Sequence, residues 1–233
     1  THAPYRILRQ GALPERDIAA ALAENMRIIG ITGGSGSGKT TALQVLREMG
    51  ALTIDADELY HELTRRSAEM KAELTARFGE VYDGDTLMRK ALGEIVFSDS
   101  AALNDLNAIT HKYVNAETVR LLREFAMQGG ELAAIDAIGI FEGKVDGICS
   151  AVFGVLAPAE IRVERIMARE GISREYALKR IRAQRSDEYY ESACTACLVN
   201  DGTMEEFAAR CRAAFTEVIK NGRKKGLSRR AFL

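Results

Sequence analysis

Neither a surplus of charge nor a long apolar run marks this sequence. Thirty-two Lys and Arg stand against 33 Asp and Glu for a net charge of −1, so no global field calls for a nucleic-acid or anionic-membrane partner. Charges or glycines interrupt each apolar run well before the ~18 to 20 residues that a membrane span needs. Residues 1–25 have no compact apolar stretch and carry Glu15, Asp17 and Glu24; they do not read as a secretory signal, and a cytoplasmic setting is expected. Cysteine is sparse. Cys149, Cys194, Cys197 and Cys211 are too few and too irregular for a disulfide framework. Cys194-Thr-Ala-Cys197 has the spacing of a zinc half-site or a redox pair. A zinc site needs a second ligand pair, however, and His2, His61 and His111 are far away in sequence. Ordinary buried thiols are expected instead.

What is present is ordinary globular composition, 47% apolar and 28% charged over 233 residues, enough for one large domain or a core with an appendage. Pro14 sits where a helix over 15–24 would start, so residues 1–25 read as a helical extension. The run over 26–32 is short, β-branched and ends in glycines, as a buried parallel strand does. A helical pattern over 39–48 and a short strand over 51–54 complete a βαβ unit. Between 58 and 128 no convincing strand appears, and Leu, Ala, Glu and Arg recur at helical spacing, which predicts a helical insertion. Strands are expected at 132–140 and 151–156, with a last short one at Leu198-Val199. Helices are expected over 159–169, 174–190 and 204–220. The alternation predicts an α/β fold, a P-loop NTPase-type parallel sheet flanked by helices, with a core over 26–221, the insertion at about 58–128 and a helical lid at about 159–190. From Arg223 onward the chain carries Arg223, Lys224, Lys225, Arg229 and Arg230 with no acid; such a basic tail is usually solvated.

Gly33-Gly34-Ser35-Gly36-Ser37-Gly38-Lys39-Thr40 fits G-x-x-x-x-G-K-[ST], after an expected strand and before an expected helix, the context that turns the pattern into a phosphate site. Glycines let backbone N–H groups turn inward, where they and the positive end of the next helix meet a nucleotide phosphate. Gly34, Ser35, Gly36, Ser37, Gly38, Lys39, Thr40 and Thr41 are therefore the expected ATP contacts. Lys39 would reach the terminal phosphates, and the Thr40 hydroxyl would be a ligand of Mg²⁺. The alternative is a Gly-rich turn that binds nothing. A cradle names a nucleotide, not a reaction. No Asn-Lys-x-Asp base-reading motif of a GTPase occurs, and the short chain with its insertion and Arg-rich helices suits a small-molecule kinase whose lid closes over two substrates.

The second strand leads into Asp55-Ala56-Asp57, carboxylates at the strand end where ligands collect in open α/β sheets. If the strand continues, both point the same way and share a site. Asp57, farther along, is the candidate general base. The alternative for either is to cap the following helix.

These residues, with those that follow, resemble the dephospho-coenzyme A kinase family. The likeness runs through Thr32-Gly33-Gly34 and Gly36 to Thr41, Asp55-Ala56-Asp57, Phe78-Gly79, Asp83-Gly84, Leu87-Met88-Arg89, Val96-Phe97, Leu103-Asn104, Leu106-Asn107, Ile109-Thr110-His111, Phe141-Glu142, Arg165 to Arg169, Arg180-Ile181-Arg182-Ala183-Gln184 and Asn200-Asp201-Gly202. The resemblance implies transfer from ATP to the ribose 3′-hydroxyl of dephospho-coenzyme A, with Asp57 as base, the insertion as acceptor subdomain with Arg89 and His111 at its motif positions, and Arg165 as the lid arginine on ATP phosphate. Arg169 lies four residues on, along the same expected helical face, as a further ATP contact. Asp136 at a strand end would join Thr40 as a metal ligand, in the manner of a Walker-B carboxylate. Glu142 is either a second acceptor or a helix N-terminal acid.

The chain departs from the family pattern in three places. His111-Lys112 replaces His-Pro; Asp136-Ala137-Ile138-Gly139-Ile140-Phe141-Glu142 replaces Asp-x-Pro-Leu-Leu-Phe-Glu; and the 83–89 segment is one residue longer. Residues 1–25 and the basic tail have no family counterpart. Rival readings are a uridine-type nucleoside kinase, whose cradle is similar, and a catalytically weak ATP-binding regulatory protein. Nothing in the sequence sets the oligomeric state.

Overall fold

In the computed structural model, residues 4–5 and 13–221 are described. Its central strand is β1 (Arg27–Thr32), whose Ile28, Ile29 and Ile31 are all fully buried; with both faces covered, apolar residues occupy consecutive positions instead of alternating. Around it lie β2 (Leu52–Asp55), β5 (Leu132–Asp136), β6 (Ala151–Leu156) and β7 (Ala196–Val199), in the order β2-β5-β1-β6-β7. The pairings of β1 with β5 and β6, and of β6 with β7, are parallel. Helices α2 (Lys39–Glu48) and α10 (Met204–Asn221) supply Leu43, Leu46, Phe207 and Phe215 to a core shared with Ile29, Ile31 and Phe153. There Phe153 and Phe215 meet edge to face at 5.2 Å, a geometry that adds about 0.5 to 1.5 kcal/mol beyond the buried area. A smaller core of Val163, Ile166 and Ala177 joins α7 (Ala159–Glu170) to α8 (Arg174–Arg182).

The chain divides into two compact units, the described parts of Thr1–Ile54 with Leu122–Leu233, and Asp55–Leu121. The first holds the sheet. The second is built from α3 (Ala56–Arg66), α4 (Ala68–Phe78), α5 (Arg89–Val96) and most of α6 (Ser100–Met127), and buries Leu59, Leu63, Met70, Leu74, Phe78 and Leu92.

Three expectations need correction. The insertion contains a hairpin, β3 (Tyr82–Asp83) paired antiparallel with β4 (Thr86–Leu87); two residues per strand are too few to leave an alternating pattern. The strand expected over 132–140 ends at Asp136 and gives way to a turn. Ile140 still reads as strand because it folds back and is fully buried over Gly30, where an added Cβ would come within 2.5 Å of its Cδ1. The helix expected over 174–190 is two, α8 and α9 (Asp187–Ala193). The break falls at Ser186, whose hydroxyl caps α9 by accepting from Tyr189 N–H.

The expected first helix is present as α1 (Glu15–Asn25), with Ala19 and Ala23 buried. The basic tail lies outside the described residues. No helix among the described residues is long and apolar enough to cross a membrane.

Candidate active site

Between Thr32 and Lys39 the backbone makes the turn that the glycines allow. Gly38, the residue before α2, has φ +109°, and no side chain caps the helix. The first N–H groups of α2 are thereby left to whatever stands in front of them, with the helix dipole behind. A Cβ on Gly38 would lie 2.1 Å from Asn200 Nδ2, and one on Gly34 2.1 Å from Arg162 Nη2, so either would have to displace the end of a side chain that is hydrogen-bonded to the loop. Lys39 Nζ donates to Gly33 O at 3.0 Å. The Ser37 hydroxyl is buried without a hydrogen-bond partner. A buried hydroxyl beside a capless helix start suits an anion that brings its own acceptors.

Two arginines reach this loop from α7. Arg165 donates from Nη1 to Gly36 O at 3.3 Å and Ser37 O at 3.4 Å, and from Nη2 to Asn200 Oδ1 at 3.2 Å. Asn200, 4% exposed, donates its Nδ2 to Ser37 O at 2.8 Å and its N–H to Leu156 O at 2.7 Å. It sits just before α10, whose start is fixed by a reciprocal capping box. Glu206 N–H donates to Thr203 Oγ1, and Thr203 N–H donates to Glu206 Oε2.

Arg162, 6% exposed, donates from Nε to Ser35 O at 3.0 Å and from Nη2 to Gln184 Oε1 at 2.7 Å. Arg169 is exposed and pairs with Glu170 at 2.7 Å, and Glu142 pairs with Arg185 at 3.2 Å. The structure thus brings Arg165 to the loop and gives Arg169 an acidic partner on its own helix. Sequence reasoning passed over Arg162. Its signal was an arginine in register with Val163 and Ile166, on the stripe that α7 buries. Asn200 and Gln184 were visible as motif members without a role.

For a divalent cation the first unit offers the exposed Thr40 in the first turn of α2, with Thr41 beside it, and Asp136, which ends β5 and pairs in register with Ile31 of β1. Among the described residues no group of three or more His, Cys, Asp or Glu gathers to hold a metal. One hydroxyl and one carboxylate fit Mg²⁺, which keeps several waters and shares phosphate oxygens rather than filling an all-protein cage. Burial pushes the Cys194 and Cys211 thiols up to about 12, so neither is a ready thiolate near neutral pH.

In the second unit, Asp55 is the N-cap of α3. Its Oδ1 accepts from Asp57 N–H at 2.9 Å and Glu58 N–H at 3.0 Å. The strand does not continue, so the two carboxylates do not follow strand alternation; Asp57 lies exposed in the first helical turn. Arg89 opens α5, and its Nη2 lies 3.1 Å from His61 Nδ1. His61 in turn meets the Tyr60 ring at 5.2 Å. Burial raises the Tyr60 hydroxyl, against the opposing pull of Arg89. The neighbour of Arg89 is therefore His61, which sequence reasoning did not single out for this role. His111 lies half-buried on α6.

A cavity of about 760 Å³ opens at the opposite ends of β1 and β5, lined by Met26, Arg27, Met49, Phe125, Glu131 and Ile219 among others. It lies at the N-terminal ends of the strands, whereas ligands of open α/β sheets collect at the C-terminal ends, where the residue 33–40 loop stands.

A sequence model of the Dephospho-CoA kinase family matches residues 27–206. The Dephospho-CoA kinase of Moorella thermoacetica is 36% identical over 200 residues, 84% of this chain and 94% of that protein. The one from Geobacter sulfurreducens is 37% identical over 188 residues, 79% and 95% of the two chains. A crystal structure of a Thermus thermophilus protein superposes with a TM-score of 0.68 at 36% identity, covering 83% of this chain and 98% of the other.

Proposed function

The chain belongs to the dephospho-CoA kinase family, and from that premise we propose that it transfers the γ-phosphoryl group of ATP to the ribose 3′-hydroxyl of dephospho-CoA, giving CoA and ADP. The observation that carries the nucleotide half is the capless start of α2 behind Gly38, with main-chain N–H groups presented to an anion. In this reading the loop amides of residues 34–41 hold the triphosphate. Lys39 leaves Gly33 O to meet the terminal phosphates, and Arg165 neutralises charge spreading over the transferring oxygens. Arg169 is a further ATP contact once it gives up Glu170. Thr40 and Asp136 would hold Mg²⁺, which when bound supplies positive charge between the phosphates.

The Asp55–Leu121 unit is read as the acceptor side, with Arg89 and His111 as its contacts and Asp57 as the base that takes the hydroxyl proton. Asp55 caps α3 through its Oδ1, which supports Asp57 over Asp55 as the base. The α7 to α9 segment is the lid, and residues 1–25 and 222–233 are additions to the kinase. Four cysteines outside any disulfide suit a cytoplasmic setting.

The test is ADP release measured with Mg²⁺ and ATP against dephospho-CoA, uridine or no acceptor. Release only with dephospho-CoA is expected. Release with uridine would transfer the reading to a nucleoside kinase, and acceptor-independent release or none would leave an ATP-binding protein without this transfer.

A further inference from the structure

Three groups of one loop residue, Ser35, are held by two side chains outside the loop. Its N–H donates to Gln184 Oε1 at 2.9 Å, its hydroxyl accepts from Gln184 Nε2 at 2.7 Å, and its carbonyl accepts from Arg162 Nε at 3.0 Å. Gln184 Oε1 also accepts from Arg162 Nη2 at 2.7 Å. One neutral oxygen is thus gripped by a backbone amide of a phosphate-binding loop and by a buried guanidinium. Those are the two donor types that proteins use to hold phosphate oxygens.

The charge around that oxygen is unbalanced. Arg162 is 6% exposed and Gln184 and Ser35 O are neutral acceptors. The carboxylate that pairs with Arg162, Asp187 Oδ1, is 4.0 Å away on a half-exposed side chain. A buried cation met mainly by neutral oxygens gains most from an anion. Gln184 itself lies in the break between α8 and α9, outside either helix, where a side chain and a few backbone angles can turn without breaking helical hydrogen bonds.

We propose that Gln184 is a positioning residue that occupies the Ser35 amide and the Arg162 guanidinium in the ligand-free cradle and yields them to a phosphate oxygen when nucleotide enters. Hydrogen bonds are exchanged and no covalent bond changes: the two donors pass from an amide oxygen to a phosphate oxygen, and Gln184 is released with the α8 to α9 joint. Nucleotide arrival and lid release are then one event. The inference rests on the nucleotide-binding reading above.

Calorimetric titration of Mg²⁺-ATP, and separately of tripolyphosphate and of adenosine, into the wild type, Gln184→Ala and Gln184→Glu tests it. Removing the competing oxygen should tighten ATP and tripolyphosphate about three- to tenfold in Gln184→Ala and leave adenosine unchanged. Gln184→Glu keeps the acceptor, pairs its charge with Arg162 and places a carboxylate in the cradle, so it should weaken both phosphates by about tenfold or more. A brace that merely shapes the loop predicts the opposite order, with the Ala variant weaker and the Glu variant near wild type. That order, or unchanged phosphate affinity in both variants, overturns the proposal. Gln184→Met, of similar volume and without an acceptor, should reproduce the Ala result and guards against a folding defect, which thermal unfolding of the ligand-free variants would reveal. Failure of the wild type to bind ATP or tripolyphosphate would instead remove the nucleotide reading itself.

Discussion

The loop at residues 33–40 meets its surroundings mainly through main-chain atoms, whereas the Asp55–Leu121 unit presents side chains from helices. Around the loop, Arg162, Arg165 and Asn200 all bond to backbone carbonyls of residues 35–37. In the insertion, Arg89 meets His61, and Lys112 meets Glu73, through side chains on exposed or half-exposed surfaces. A site built from backbone tolerates few residue types, because a Cβ at Gly33 would lie 2.3 Å from Val155 O and one at Gly36 2.7 Å from Arg162 O, both backbone atoms. A site built from helical side chains leaves a pattern that a solvated helix face leaves equally well.

The largest expected effect tests the side-chain half of that contrast. Asp57→Asn should lower turnover with dephospho-CoA by a factor on the order of 10² to 10⁴, as loss of a general base does, with ATP affinity nearly unchanged. Asp57 is exposed in the first turn of α3, where a substitution disturbs little of the packed fold. Turnover near that of the wild type would take Asp57 out of the chemistry.

The backbone half is tested next. Gly38→Ala meets both a φ of +109° and the Asn200 amide; left-handed strain alone costs of order 1 to 3 kcal/mol, so ATP affinity should fall by roughly ten- to a hundredfold in a calorimetric titration. Gly84→Ala is the matching change in the insertion hairpin, with φ +57° and nothing within 4 Å of the added Cβ. It should cost about 1 kcal/mol of stability and leave ATP binding alone. Equal losses of ATP affinity at the two glycines would erase the distinction between the regions.

The same contrast explains what could be read from sequence. β1, the loop and α2 were legible to within a residue because glycine, lysine and threonine fall at positions where backbone geometry leaves little choice. The packed strands were legible because Ile28, Ile29 and Ile31 follow one another with only Gly30 between them. The end of β5 was not, since buried Ile140 continues the apolar pattern after the strand has stopped. Arg162 was hidden among the arginines of α7, where its register with Ile166, rather than its type, carries the information. His61 was hidden for a different reason: its contact with Arg89 spans 28 residues, a pairing made by tertiary folding of the insertion and absent from any local pattern.

The smallest expected effect asks whether the insertion owes stability to its charged side chains. Glu117 is 12% exposed and accepts from Arg120 Nε at 2.8 Å and from Arg66. Arg120 first, and then Arg66, hold its carboxyl down to about 2 from an ordinary 4.5. Because the folded value is the lower one, the carboxylate's contribution is complete above pH 4.5 and is lost as pH falls from there toward 2. Both arginines are about half exposed, so solvent screens the pair, and Glu117→Gln should cost about 1 to 2 kcal/mol at pH 7. Urea unfolding of both proteins from pH 7 down to the lowest pH at which both stay folded should show that difference constant to about pH 4.5 and shrinking below it. A difference that persists undiminished well below pH 4.5 would mean that packing, not charge, holds Glu117 in place, and the insertion would then resemble the cradle more closely than its exposed ion pairs suggest.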